Sequence, residues 1–193
     1  VGVPKKFVKQ AIFLVALAAI PMGAYLTLHG DGFRLNRISV WLNPEDNAAD
    51  GGFQVLQGLY AIGSGGLFGK GLGQSAQKLG FVPESANDMI FSIVCEELGL
   101  FGAVAIIVLF AFIIRRMRII AGNAPDLFSS LLVVGVMAQI SVQVVLNIAV
   151  VTNSIPNTGV SLPFISYGGT SILFLLYEMS LVLAVSKQIK RIQ

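Results

Sequence analysis

The sequence predicts an all-α protein, a polytopic bundle of transmembrane helices. Of its 193 residues, 55% are hydrophobic and 12% are charged, whereas soluble domains carry about 25% charged residues. The mean hydropathy is +0.80. Four apolar segments approach or exceed the length of about 20 residues that crosses a bilayer. We therefore expect one integral membrane domain over residues 1–193.

The four spans follow from the apolar segments and from the basic residues that border them. They are expected at about residues 11–28, 98–114, 127–152 and 168–185. Residues 89–97 are apolar enough to extend the second span as a helix. A long segment, 29–88, separates spans one and two, and a shorter loop, 153–167, precedes span four.

The placement of the basic residues orients this bundle. Nine of the thirteen lie at the amino terminus, between spans two and three, or at the carboxyl terminus. Lysine and arginine concentrate in cytoplasmic loops, and these three places share one side only if there are four spans. We therefore expect both termini in the cytoplasm and expect the segments 29–88 and 153–167 to be extracytoplasmic. Function is then expected on that outer face.

Charge and cysteine usage exclude several other classes of protein. The basic residues border apolar runs, a pattern that suits a membrane protein better than a nucleic-acid binder. The single cysteine, Cys95, excludes an internal disulfide, and the sequence has no Cys/His cluster that would hold zinc. No metal-binding residue is predicted.

Short structured pieces are expected within the segment 29–88, because loops of that length are rarely empty. Residues 33–42 are amphipathic, and Arg34 and Arg37 share one helical face there. Residues 43–47 form a turn signal, and residues 54–62 suit a second short helix.

A glycine-rich stretch follows, with six glycines among residues 63–73. One interpretation is flexible backbone packed closely on a membrane surface. The alternative is a set of backbone amides that contact an anionic ligand.

Three acidic residues mark the entry to the second span. Asp88 precedes an apolar helix, so it is either the N-cap of that helix or a functional carboxylate. Glu96 and Glu97 come just before Leu98-Gly99, which indicates a helix end and a break. Their simplest role is structural pairing.

Polar residues also occur inside the third and fourth spans. Gln139, Gln143 and Asn147 are four residues apart and form one stripe along a helix. This stripe indicates interhelical hydrogen bonds or a water-filled cavity. Glu178 lies near the middle of span four, where a charge must be protonated, paired or exposed to a cavity. The loop 153–167 is apolar but rich in proline and glycine, which predicts a re-entrant-like segment without a long helix.

Three blocks of sequence resemble the SEDS family, the shape, elongation, division and sporulation proteins. Residues 65–78 read GGLFGKGLGQSAQK, and residues 147–171 read NIAVVTNSIPNTGVSLPFISYGGTS. Residues 81–99, FVPESANDMIFSIVCEELG, are similar to the family's Leu-Pro-Glu-x-His-Thr-Asp-Phe-Ile-Phe and Glu-Glu-Leu-Gly motifs. The division and sporulation branch is the most similar.

The resemblance implies a ten-span protein of the bacterial plasma membrane, of which this chain would be the carboxyl-terminal part. It implies a peptidoglycan glycosyltransferase that polymerises glycan strands from lipid II, releases polyprenyl diphosphate, and works with a class B penicillin-binding protein. The family's essential aspartate falls on Asp88. Ala86 and Asn87 replace the usual His and Thr, and Asn153 stands where Gly is usual.

Roles for further residues follow from the matched blocks and from the outer face. The expected substrate-binding residues are Lys78, Lys70, Arg34, Arg37, Glu84, Ser166, Gly168 and Gly169. The expected supporting residues are Glu96, Glu97, Asn147, Pro156, Gly159 and Pro163.

Asp88 is then expected to act as general base. No cofactor is assigned, and a divalent cation is left open. Two alternative functions are a flippase for lipid-linked precursors and a non-catalytic membrane scaffold for a penicillin-binding protein.

Overall fold

A computed structural model describes residues 32–75 and 87–189, and this part of the chain is helical, as predicted. The predicted first span, 11–28, lies outside the described residues. The helices are α1 (Gly32–Leu42), α2 (Gly52–Gly65), α3 (Ile90–Gly122), α4 (Leu127–Val151) and α5 (Gly169–Gln188), with a short 3-10 helix, Ala48–Asp50, between α1 and α2.

Three of the described helices, α3, α4 and α5, are long and apolar enough to cross a membrane. They contain the predicted span 98–114, all but the last residue of 127–152 and all but the first residue of 168–185. Helix α3 has 33 residues, because residues 90–97 extend it at one end and a segment with three arginines extends it at the other. Long basic side chains near the end of a membrane helix can reach the interface, so their charge does not stop the helix.

The two short helices predicted in the segment 29–88 are present as α1 and α2. The turn predicted at residues 43–47 is also present, with turn conformation at 44–47. Helix α2 packs against α3 through small residues: Ala61 is fully buried, and a Cβ atom on Gly65 would overlap the Cys95 backbone of α3. A Cβ atom on Gly58 would overlap the side chain of Met89, just before α3.

Helices α3 and α4 form an antiparallel pair joined by a four-residue turn, 123–126. Asp126 caps α4: its side chain accepts hydrogen bonds from the backbone N–H of Ser129 at 2.9 Å and from the Ser129 hydroxyl at 2.7 Å. These bonds lower the pKa of Asp126. The apolar core between the helices includes Met117, Val133 and Ile140, each at most 1% exposed.

This topology brings the start of α3, the end of α4 and the start of α5 to one end of the bundle. The basic residues collect at the other end, where Arg116 of α3 and Lys187 of α5 line one cavity of about 1060 Å³. Asp88, just before α3, therefore lies at the end opposite these arginines and lysines.

Helix α3 is broken at Gly99, whose backbone has φ 67° and ψ −166°. The break leaves backbone groups on both sides of it without helical hydrogen bonds. Backbone groups of the glycine-rich loop (residues 65–73) bond to them instead. The N–H groups of Lys70 and Gly71 donate to the carbonyls of Glu96 and Glu97 at 2.9 and 3.0 Å. In return, the N–H groups of Leu100 and Phe101 donate to the carbonyls of Gly66 and Leu67.

The side chain of Glu96 also stabilises the contact between the glycine-rich loop and α3. It is fully buried, and its Oε1 atom lies 2.6 Å from the Lys70 ammonium. The hydroxyl of Ser75 donates to Oε2 at 2.5 Å, and the hydroxyl of Ser64 donates to Oε1 at 3.4 Å. A buried carboxylate requires such partners, and all three come from residues 64–75.

The glycine-rich loop thus packs on a helix of the same chain. The amides of Lys70 and Gly71 bind carbonyls of α3, and the Gly69 amide binds the Gly65 carbonyl. All three amides are bound to carbonyls of the same chain, so the alternative in which the loop amides hold an anionic ligand is not supported for them.

The close approach of this loop to α3 can be tested with two glycines of equal conformation. Gly69 and Gly73 both have φ 77°, but a Cβ on Gly69 would overlap the Glu97 carbonyl, while one on Gly73 meets nothing within 4 Å. We expect Gly73→Ala to cost about 1 kcal/mol through its left-handed backbone, and Gly69→Ala to cost about 1–3 kcal/mol more through overpacking. Thermal unfolding in detergent measures both, and equal losses would contradict the docked loop.

The buried ion pair gives a second prediction. We expect Lys70→Met to destabilise the fold by about 3 kcal/mol, because it leaves the Glu96 carboxylate buried without its cation. The figure is the lower end of the usual range, since the Lys70 side chain is 38% exposed.

The double variant Lys70→Met/Glu96→Gln should recover part of that loss, because it removes the charge as well. The same unfolding assay measures the recovery. A double variant no more stable than Lys70→Met would show that the charge of Glu96 is not the reason for the loss.

Candidate active site around Asp88

Asp88 lies in a turn, residues 87–89, immediately before α3. The N-cap position of α3 is Met89, and no side chain caps the helix there. The interpretation of Asp88 as an N-cap is therefore wrong, because the helix begins one residue later than that role requires. The Asp88 side chain is half-buried and is not used to start the helix.

Asn147 of α4 fixes the backbone of Asp88. This asparagine is fully buried, and its Nδ2 atom donates to the carbonyl of Asp88 and to the carbonyl of Val160, both at 2.7 Å. One side chain thus ties the turn before α3 to the loop 153–167, which we call the outer loop. This is the only polar residue of the predicted stripe that reaches the site.

The Asp88 carboxylate lines a cavity of about 300 Å³ at this end of the bundle. Three elements complete the walls: helix α1, the start of α2, and the outer loop. Besides Asp88, the polar groups that line the cavity belong to Asn36, Arg37, Trp41, Gln54, Asn153 and Asn157.

Helix α1 is held against the outer loop by hydrogen bonds from residues that line the cavity. Arg37 Nη1 donates to the Asn157 carbonyl at 3.1 Å, and Trp41 Nε1 donates to the Asn153 carbonyl at 2.9 Å. Asn153 Nδ2 donates back to the Trp41 carbonyl at 3.3 Å. Two helical residues four apart therefore anchor α1 to residues more than a hundred positions away.

Two residues of the outer loop have the left-handed backbone that this wall requires. Asn153 has φ 54° and Gly159 has φ 68°. Asparagine tolerates this conformation better than most residues, which explains how it replaces the glycine usual in the resembled family. A Cβ on Gly159 would stand 3.8 Å from Asp88 Oδ2, so the outer loop passes directly by the carboxylate.

Other predicted substrate-binding residues are not brought to this cavity. The Lys70 ammonium binds Glu96. Ser166 is buried, and its hydroxyl accepts a hydrogen bond from the Leu162 N–H at 2.7 Å. Gly168 and Gly169 form the start of α5 and do not line the cavity.

Other predicted residues lie in the outer loop or outside the described residues. Pro156 is half-buried and Pro163 is fully buried in the outer loop. Lys78 and Glu84 lie outside the described residues, as does the side chain of Arg34.

The sequence analysis did not identify Asn36, Trp41, Gln54 or Asn157 as cavity residues. One signal was available for Trp41: it follows Arg37 by four residues and so shares a helical face with it. The three amides gave no such signal, because they come from separate segments that only the fold brings together.

Residues 32–75 and 87–189 contain no group of three or more His, Cys, Asp and Glu side chains that could hold a metal ion.

Within the bundle, Gln139 Nε2 donates to Glu178 Oε2 at 3.2 Å. This bond links α4 to α5 and accounts for the carboxylate in span four as an interhelical partner.

Curated relatives match much of this chain. It is 48% identical over 155 residues to stage V sporulation protein E of Bacillus subtilis, covering 80% of the chain and 42% of that protein. It is 41% identical over 183 residues to a probable peptidoglycan glycosyltransferase FtsW of Trichlorobacter lovleyi, covering 94% and 48%. The chain thus spans about half the length of these relatives.

Two solved structures share the fold. One, described as a peptidoglycan synthase complex that coordinates polymerization and crosslinking, matches with a TM-score of 0.70 and 26% identity, covering 94% of this chain and 49% of that one. The other is a variant of the rod shape determining protein RodA of Thermus thermophilus, with a TM-score of 0.54 and 29% identity, covering 92% and 57%.

The model of one protein family, described as cell cycle proteins and named for FtsW, RodA and SpoVE, matches residues 4–191. Three apolar helices of membrane-spanning length accompany that match. The chain is therefore that of a multi-pass protein of the bacterial inner membrane, and it belongs to the SEDS family.

Proposed function

We propose that the full-length protein polymerises peptidoglycan glycan strands from lipid II, with Asp88 as the general base. The observation that carries this proposal is the cavity of about 300 Å³ that Asp88 lines together with Arg37 and several residues with side-chain amides. Relatives named as probable peptidoglycan glycosyltransferases support the reaction class. The proposal extends their activity to this protein.

In the proposed reaction, Asp88 accepts the proton of the 4-hydroxyl group on the acceptor lipid II. The hydroxyl oxygen attacks the anomeric carbon of the growing strand. A new glycosidic bond forms, the bond from that carbon to the diphosphate oxygen breaks, and polyprenyl diphosphate leaves with the electron pair. A positioned general base contributes typically ~10²–10⁴-fold to such a step.

Arg37 is the described cation best placed to stabilise the leaving diphosphate. It lines the cavity with Asp88, and its guanidinium is oriented by the hydrogen bond to the Asn157 carbonyl. Guanidinium groups match phosphate oxygens in charge and in planar geometry. The proposal assigns no residue to a divalent cation.

Asp88 is proposed to face the outside of the cell. The basic residues of α3 and α5 lie at the opposite end of the bundle, where Arg116 and Lys187 share a cavity. If that end is cytoplasmic, as the positive-inside rule predicts, both ends of this chain are cytoplasmic and the Asp88 cavity opens where lipid-linked sugars are exposed.

A class B penicillin-binding protein is the proposed partner. A structure described as a peptidoglycan synthase complex for polymerization and crosslinking shares the fold at a TM-score of 0.70. By that analogy, strands made at Asp88 would pass to a partner that crosslinks them.

The proposed base can be tested by the isosteric change Asp88→Asn in the full-length protein. We expect the rate of lipid II polymerisation to fall at least ~10²-fold, because the amide cannot accept the proton. Gel analysis of strands made from labelled lipid II, supplied on the Asp88 side, measures the rate. Asp46→Asn is a matched control, since Asp46 is an exposed acid of the same outer segment that does not line the cavity.

The same assay tests the flippase alternative, because a flippase would form no strands from lipid II supplied on the Asp88 side. Growth of cells that carry Asp88→Asn tests the scaffold alternative, because a scaffold would tolerate that change. A near-normal polymerisation rate in a folded Asp88→Asn protein would refute the base assignment.

A further inference from the structure

The cavity of about 1060 Å³ at the basic end of the bundle has no part in the proposed reaction. It lies between the last turns of α3 and α5. Arg116 and Lys187 supply its charge, and Ile119, Ile120 and Leu183 belong to its apolar wall. No Asp or Glu of the described ranges lines it. The cavity thus combines two positive charges with a surface that suits hydrocarbon.

The two cations stand at the depth where lipid headgroups begin. Arg116 follows the apolar stretch 98–114 by two residues, and Lys187 follows the apolar stretch 168–185 by two residues. Both helices start at the Asp88 end of the bundle, so both side chains leave the hydrocarbon on the same side. The apolar part of a spanning helix matches the thickness of the hydrocarbon, and the phosphates of the bilayer lie directly beyond it.

The described part of the chain supplies no anion for these cations. Its one salt bridge joins Lys70 to Glu96 at the other end of α3. Asp126 is close in sequence to the end of α3, but its carboxylate caps α4 through Ser129. The charge of this cavity is therefore complementary to an external anion, and a guanidinium group matches phosphate oxygens in charge and planar geometry.

Charge and shape together select one kind of occupant. The amino-terminal segment of the chain carries Lys5, Lys6 and Lys9, so like charges would repel it from Arg116 and Lys187. A free phosphate ion would satisfy the cations but would leave the apolar wall unused. An anionic phospholipid satisfies both parts, because its phosphodiester and its acyl chains are joined in one molecule.

We propose that this cavity binds an anionic phospholipid, which bridges α3 and α5. Arg116 and Lys187 bind the phosphodiester oxygens, and the apolar wall holds the acyl chains. Basic pockets between transmembrane helices bind such headgroups in other membrane proteins. The site lies at the end of the bundle opposite Asp88, so it does not depend on the proposed polymerase activity.

Native mass spectrometry of the full-length protein, titrated with phosphatidylglycerol in detergent, tests the site. We expect one lipid to bind more tightly than any further lipid. Arg116→Gln should weaken that binding about tenfold, because it removes a charge-assisted contact. Arg118→Gln is the matched control, since Arg118 is an exposed residue of the same helix that does not line the cavity. It should weaken binding less than about threefold, through the loss of general attraction alone.

Equal weakening by the two substitutions would overturn the site, because a diffuse attraction between a basic surface and anionic lipid depends on either arginine alike. Failure of the wild-type protein to retain any phosphatidylglycerol would also overturn it. Thermal unfolding without added lipid checks that both variants are folded. If Arg116→Gln unfolds early, Lys187→Gln takes its place, with the same tenfold expectation.

Two further probes separate a lipid site from a site for soluble anions. Phosphatidylcholine has the phosphate and the acyl chains but no net charge, and glycerol 3-phosphate has the phosphate without the chains. Each should bind at least ~tenfold more weakly than phosphatidylglycerol. Binding of glycerol 3-phosphate as tight as that of the lipid would overturn the assignment to a phospholipid. Asp88→Asn should bind phosphatidylglycerol like the wild type, so failure of the proposed polymerase function would leave this result standing.

Discussion

The exchange of backbone hydrogen bonds between the glycine-rich loop and the break in α3 is the contact on which the rest of this structure depends. A break inside an apolar helix leaves backbone groups that must find partners within the protein. At Gly99 the loop supplies donors for the carbonyls of Glu96 and Glu97 and acceptors for the two following amides. The ion pair of Lys70 with Glu96 then fixes the loop in register with the break.

That contact determines where Asp88 can be. The first turns of α3, residues 90–98, run directly from Asp88 to the break, so fixing the break fixes the start of the helix. At the other end of these turns, Asn147 holds the Asp88 carbonyl and joins it to Val160 of the outer loop. The carboxylate is therefore set by two anchors on a rigid element, which is the arrangement that precise chemistry requires.

The sequence predicted the elements better than it predicted their contacts. Apolar runs located α3, α4 and α5, because helices of membrane length have an unmistakable composition. The pair of Lys70 with Glu96 could not be predicted, since 26 positions separate the two and only the helix break brings them together. The cavity could not be predicted for the same reason, because Gln54 and Asn157 belong to segments that meet only after folding.

The carboxylates of Glu96 and Asp88 lie near the same helix break but differ in solvent access. That difference separates their roles. Glu96 is fully buried and is compensated by an ammonium and two hydroxyls of its own chain, so no substrate reaches it. Asp88 lines a cavity whose other polar residues include Arg37, Gln54 and Asn157. A buried, compensated charge stabilises a fold, whereas a carboxylate at a cavity wall can exchange a proton with a ligand. Glu96 thus keeps the helix break closed, and the break holds Asp88, the proposed base, in place.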